Sequence, residues 1–222
     1  MEGLDRFVNK TEGRDKFCKA VQYASRFLKH SLKDSNPDIA AKANGLFIGM
    51  RDARKLFRLF KTFQEYYKIT QIIAKGQYDH SSILQLLTRG SMGIYWIFDN
   101  LQVLSVVKVL NLDSKKMGKY GSLFWFIGLV LTVVTSVIKL ADLAEKEAGL
   151  KSKDQNAETK KAIADIKKQK FTEILNLIKS NGDMITASAG AEIAPKLGIN
   201  FNDGHIGLGG FVSAVITMYQ TY

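Results

Sequence analysis

The chain has 222 residues, 46% hydrophobic and 24% charged, with a formal charge of +11. That balance excludes a disordered chain and a conventional multi-spanning transporter, and the length suits one sizeable domain. The basic surplus sits at the front: residues 1–75 hold 16 Lys and Arg against 8 Asp and Glu, and the remainder holds 16 against 13.

A basic N-terminal third points to an anionic partner, either phosphodiester or phospholipid. The single cysteine, Cys18, permits no intrachain disulfide. The opening "MEGLDRFVNKTEGRDK" shows no apolar run of the secretory kind.

Apolar residues recur at helical spacing and alternating runs are few, so the chain reads as all-α. From Arg14, one helical face collects Phe17, Ala20, Val21, Ala24, Phe27 and Leu28, while Lys16, Lys19, Gln22, Arg26 and Lys29 take the rest. Ser35-Asn36-Pro37 predicts a turn with proline at the first position of the next helix, which the pattern carries from Pro37 to about Lys75, ending at Gly76. Within it lies "MRDARKLFRLFKTF". At about 100° per residue, Ala53, Leu56, Phe57, Phe60, Phe63 and Tyr67 gather within an arc of roughly 120°. Arg51, Arg54, Lys55, Arg58 and Lys61 gather opposite them.

From Ser81 a third helix contains "SMGIYWIFDNLQVLSVVKVL", apolar except for Asp99, Asn100 and Lys108. A carboxylate in hydrocarbon costs about 2.5–3.5 kcal/mol on insertion scales, so this reads as a core or partly inserted helix before it reads as a span. Gly121 to Ile138, "GSLFWFIGLVLTVVTSVI", has no charge, and Lys115, Lys116, Lys119 and Lys139 flank it. A polar linker follows, turning amphipathic from about Ala157 to Ser180 through Ile163, Ile166, Phe171, Ile174 and Leu177. A second candidate span, Gly204 to Tyr222, carries no Asp, Glu, Lys or Arg, and Gly207, Gly210 and Ala214 supply a small-residue face for helix association between chains, with tight packing inside the chain or a flexible loop as equal alternatives.

The expected organisation is a basic amphipathic region (1–76), an apolar helix with a central Asp-Asn (77–114) and a first transmembrane span (115–140). A polar linker with an amphipathic helix (141–203) and a Gly-rich C-terminal span (204–222) complete an integral membrane helical protein. His30, His80 and His205 show no metal-ligand spacing, "GLGGFV" at 207–212 lacks the last glycine of a dinucleotide fingerprint, and no phosphate loop or nucleophile elbow occurs. No catalytic residue, metal or cofactor is expected.

Three readings compete for the basic amphipathic helix: a core helix with a solvated back, a nucleic-acid helix, or one lying on a membrane. Its polar face lacks the mixed signs of a solvated helix, and a nucleic-acid helix does not need a row of phenylalanines. On an anionic leaflet each Lys or Arg contributes about 1 kcal/mol. Each Leu or Phe that fully leaves water contributes roughly 1.5–3 kcal/mol. The membrane reading is favoured, and no nucleic-acid partner is expected.

Three stretches also carry a resemblance. "KTEGRDKFCKAVQYASRFL" (10–28), "GIYWIFDNLQVL" (93–104), and "GDMITASAGAEIAPKLGI" with "GLGGFVSAVITMYQ" resemble, in order along the whole chain, the peroxin eleven family of peroxisomal membrane proteins. The resemblance implies a multi-pass protein of the peroxisomal membrane, or of a specialised peroxisome such as a glycosome, with cytosolic termini. It implies elongation, proliferation and fission of the organelle. By the same resemblance Arg51, Arg54, Lys55, Arg58 and Lys61 are head-group contacts on anionic phospholipid, and Leu56, Phe57, Phe60 and Phe63 the membrane-bending wedge. Homo-oligomers and recruitment of a dynamin-type GTPase with its membrane adaptor are implied as well; the oligomer would form through Gly207, Gly210 and Ala214. A membrane pore or metabolite channel is the alternative, and a soluble all-α scaffold or nucleic-acid binder a further one.

Overall fold

The computed structural model describes residues 9–76, 78–152 and 156–221, and every regular element among them is helical. The expected roles of residues 1–8 in the basic region, of Lys153 to Gln155 in the linker and of Tyr222 at the last span lie outside the described residues.

Helix α1 (Thr11–Leu32) is followed by the turn foreseen at Asn36-Pro37. The Asn36 side chain accepts the Ile39 N–H at 3.2 Å, and proline takes the first position of α2 (Pro37–Phe57). The expected continuous helix from 37 to 75 is broken instead. Its second half is a separate helix, α3 (Lys61–Ala74), because Phe60 sits in the left-handed region at φ 64°. That conformation costs a non-glycine residue roughly 1–2 kcal/mol. Arg58, at the break, donates to Asp99 at 3.0 Å and to the Tyr95 hydroxyl at 3.2 Å. The bend lets α3 lie along the next helix while α2 stays on α1.

Asp79 caps α4 (His80–Val106), and Asp113 caps α5 (Ser114–Lys151), its carboxylate accepting the Lys115 and Lys116 N–H groups. At about 1.5 Å per residue, α5 reaches roughly 57 Å, well past the thickness of bilayer hydrocarbon. It holds the foreseen span and runs on through residues expected to be linker. Helix α6 (Ala157–Gly190) likewise outlasts its expected end at Ser180. A single turn, α7 (Ile193–Lys196), leads to α8 (Asp203–Thr221).

Among the described residues, α5 is the one helix long and apolar enough to cross a membrane, and only 17% of its most apolar window is buried. The second expected span, from Gly204, is helical in α8 but falls short in hydropathy. Four glycines and polar ends dilute its apolar residues.

The helices follow one another around a ring. α2 lies on α1, α1 on α8, α8 on α6, α6 on α5 and α5 on α4, with α3 against α4 and a light contact from α2 to α4 closing the circuit. Glycine sets the tightest approach. A Cβ on Gly209 would stand 2.8 Å from the Gly182 carbonyl oxygen, so α8 and α6 meet backbone to backbone.

The partition of side chains is reversed from that of a water-soluble bundle. The largest fully buried side chains are Asp15, Ser180 and Ser213, and many buried apolar residues are alanines. Large apolar residues face out from every long helix: Phe17 and Phe27 on α1, Leu46 and Leu56 on α2, Ile94 and Ile97 on α4. Val130, Val134 and Val137 on α5, Phe171, Ile174 and Ile178 on α6, and Leu208, Phe211 and Val215 on α8 continue the belt. An apolar surface of that extent is stable only against lipid or another apolar surface.

Candidate functional site

Inside the ring lies a cavity of about 500 Å³, lined from α1, α2, α4, α5 and α6. Three ion pairs brace it. Arg54 donates to Asp15 at 3.0 Å and to the Gln22 side-chain carbonyl at 2.7 Å, tying α2 to α1. Arg58 reaches Asp99 on α4. Lys19 donates to both oxygens of Asp183 at 2.8 and 3.0 Å and to the Ser213 hydroxyl at 2.8 Å, joining α1 to α6 and α8.

The electrostatics follow from burial and pairing. Burial works to raise the Asp15 pKa, but Arg54, then Lys16 and Arg58, outweigh it and hold the carboxyl at about 2. Burial pushes Lys19 down to about 8, although Asp183 opposes the shift. Burial also lowers the Lys55 pKa, with Arg51 adding to the effect. Seven Lys and Arg line the cavity against three carboxylates, Asp15, Asp99 and Asp183. Aromatic rings complete the wall: Tyr95 stacks on Trp125 with centroids 5.6 Å apart, and Arg58 lies over Trp96 at 5.8 Å.

The two faces of the basic amphipathic helix do lie opposite each other, with the cations turned inward. Arg51, Arg54, Lys55 and Arg58 line the cavity, and Lys61 sits over the Trp96 ring at 5.2 Å. Arg54 and Arg58 are buried in their ion pairs, whereas the Arg51 side chain is 43% exposed and pairs only with its neighbour Asp52. Of the wedge residues, Leu56, Phe60 and Phe63 are 60–68% exposed, and Phe57 is half-buried. The small-residue face of α8 is occupied within the chain. Gly207 abuts the Phe27 backbone, Gly210 abuts the Tyr23 ring, and Ala214 is fully buried. The C-terminal association face is thus spent on α1.

Sequence reasoning did not single out Asp15, Lys19, Tyr95, Trp96 or Asp183 as parts of one site. Their signal is faint: Asp183 is an isolated charge in a small-residue stretch, while Asp15 and Lys19 are hidden among other charges and Tyr95 and Trp96 among apolar residues.

The whole chain, residues 1–222, matches the family Peroxisomal biogenesis factor 11 (PEX11). The chain belongs to that family. Among relatives, Peroxisomal membrane protein 11 homolog of Dictyostelium discoideum is 29% identical over 100% of this chain and 94% of its own length. Peroxisomal membrane protein 11C of Arabidopsis thaliana is 28% identical over 96% and 88%. Peroxisomal membrane protein 11A of Bos taurus is 25% identical over 97% and 94%. No solved structure matches the chain. The family is one of biogenesis factors rather than of enzymes.

Proposed function

We propose that this protein is a peroxisomal membrane protein acting in peroxisome proliferation, and that it does so by deforming the membrane it sits in. The reversed partition of side chains carries this reading: an apolar exterior around a charged interior has lipid as its natural solvent. Helix α5 anchors the chain, and Leu56, Phe60 and Phe63 project from the α2–α3 break as a shallow wedge. Inserted in one leaflet, bulky side chains without a matching volume in the other leaflet favour curvature.

Because carboxylates hold Arg54 and Arg58 inside, the head-group role falls in this reading to the accessible cations, Arg51 above all. Self-association and docking of a dynamin-type GTPase belong to it as later steps. Both would use the outward apolar faces, since Gly207, Gly210 and Ala214 are packed within the chain.

The test is reconstitution of the full chain into anionic and neutral vesicles, with shape read by electron microscopy. Tubules with wild type and none with Leu56, Phe60 and Phe63 all changed to Ser support the wedge. Equal tubulation by both proteins overturns it.

The polar cavity favours one second reading, passage of solutes through the ring. Single-channel recording on planar bilayers decides it, and a flat trace at all voltages removes it.

A further inference from the structure

The cavity lining carries seven cations against three carboxylates, and the balance is met from outside the lining or not at all. Three of its cations pair with the lining carboxylates, Arg54 with Asp15, Arg58 with Asp99 and Lys19 with Asp183. Lys16 shares Asp15 with Arg54. Arg26 turns to Asp203 and Arg51 to Asp52, neither of which lines the cavity. Lys55 feels Asp52 and Asp99, but among the described residues neither closes an ion pair with it. Arg51 and Lys55, one turn apart on α2, and Arg58, just past its end, all line the cavity from the same side. A cluster of this kind, half-shielded from water, is stabilised by an anion between its members.

The unmatched hydrogen-bonding groups add a second requirement. Among the described residues four buried side-chain atoms lack a partner, and three of them belong to residues lining the cavity: Arg58 Nε, Asp99 Oδ2 and Thr186 Oγ1. Arg58 Nε needs an acceptor, Asp99 Oδ2 needs a donor, and a hydroxyl such as Thr186 takes either. A bare phosphate meets the first demand and leaves a carboxylate oxygen facing another anion. A ligand carrying both phosphate and hydroxyls meets all three. The volume, about 500 Å³, suits a single sugar-sized ring with its phosphates, and the aromatic wall of Tyr95, Trp96 and Trp125 gives the ring's C–H faces a surface.

We propose that the cavity binds a polyol phosphate, with the phosphate on Arg51, Lys55 and Arg58 and ring hydroxyls on Asp99 and Thr186. The same chemistry is found in a phosphoinositide head group and in a free sugar or inositol phosphate. The wedge lies on the outside of the ring and the ligand inside it, and the two readings share Arg51; loss of tubulation in the Leu56, Phe60 and Phe63 variant leaves this proposal untouched, so the two fail separately.

The two tryptophans of the chain, Trp96 and Trp125, both line the cavity, so intrinsic fluorescence reports its occupancy without a label. The full chain is placed in phosphatidylcholine nanodiscs and titrated with an inositol trisphosphate, and separately compared in discs containing a phosphatidylinositol phosphate. A saturable change with the soluble compound assigns a free polyol phosphate. A change only with the lipid in the disc assigns a head group. The double variant Arg51→Met/Lys55→Met, which breaks no interhelical ion pair, should weaken binding by about tenfold or more with helicity unchanged in circular dichroism. No fluorescence change with either compound, an equal response to inorganic phosphate or to phosphatidylserine discs, or unaltered affinity in the double variant would each overturn the proposal.

Discussion

Arg54 and Arg51 lie three residues apart on one helical face and would be interchangeable if both served a lipid surface. The structure separates them. The Arg54 side chain is 9% exposed and its partner Asp15 is 1% exposed, whereas Arg51 is 43% exposed beside Asp52. Changing Arg54 to Met leaves the buried Asp15 carboxylate with Lys16 as its one remaining ion-pair partner among the described residues and strips Gln22 of its donor, a loss of about 3 kcal/mol, the low end for a broken buried pair. For a chain of this size each kcal/mol moves the melting temperature by roughly 2–4 °C, so the midpoint should fall by about 10 °C. Arg51→Met removes the same charge from a solvent-screened pair and should cost about 1 kcal/mol or less. The double change Asp15→Asn/Arg54→Met removes both charges and should recover much of the loss. The assay is thermal unfolding of the purified protein in detergent, followed by the helical band in circular dichroism, with Asp15→Asn, Arg54→Met and the double change read as a double-mutant cycle and Arg51→Met beside them. Equal shifts for Arg54→Met and Arg51→Met would refute the inward orientation of the basic face.

Asp15 is held at about 2 against an ordinary 3.8, so its contribution of about 2 kcal/mol is fully present above pH 4 and lost as pH falls from about 4 to 2; acid titration of the melting temperature should flatten in Asp15→Asn. Lys19 has the opposite logic: pushed down to about 8 from 10.5, it is a cost below pH 8 that is relieved as pH rises toward 10.5, so stability should climb there, and Lys19→Met should abolish the climb. Gly209→Ala should destabilise by about 1–3 kcal/mol because the new methyl meets the Gly182 backbone, whereas Gly45→Ala, with open space around it, should stabilise by about 0.5–1 kcal/mol in the same melt. Phe60→Gly should raise fold stability by about 1 kcal/mol, by relieving a left-handed phenylalanine, while weakening vesicle binding in co-sedimentation.

Much of this fold is legible locally. The Asn36-Pro37 turn, the uncharged run from Gly121 to Ile138 and the two faces of the basic helix follow from capping chemistry and periodicity alone. The break at Phe60 does not, because neither glycine nor proline marks it. Beside it Arg58 reaches Asp99 across 41 positions of sequence, a long-range contact that no local pattern encodes. The small residues of α8 suggest a face for oligomers, and in the fold that face packs on α1 of the same chain instead. Periodicity reports that small residues share a side of a helix and is silent on whose helix meets them.

Which face of an amphipathic helix turns inward depends on the solvent, and that is the step no helical wheel contains. In water, burying Leu56, Phe60 and Phe63 would be worth roughly 1.5–3 kcal/mol each, and the cations would face out. Here the three lie exposed and the cations find Asp15 and Asp99 inside. Such a choice is favourable only if the outside is not water. The inner carboxylates are what make it specific: without Asp15, Asp99 and Asp183 the ring would enclose seven cations that repel one another. Three acids on three different helices, α1, α4 and α6, therefore do two things at once. They tie helices of the ring together, and among the described residues they leave Lys55 without an ion-pair partner and Arg51 to its sequence neighbour Asp52.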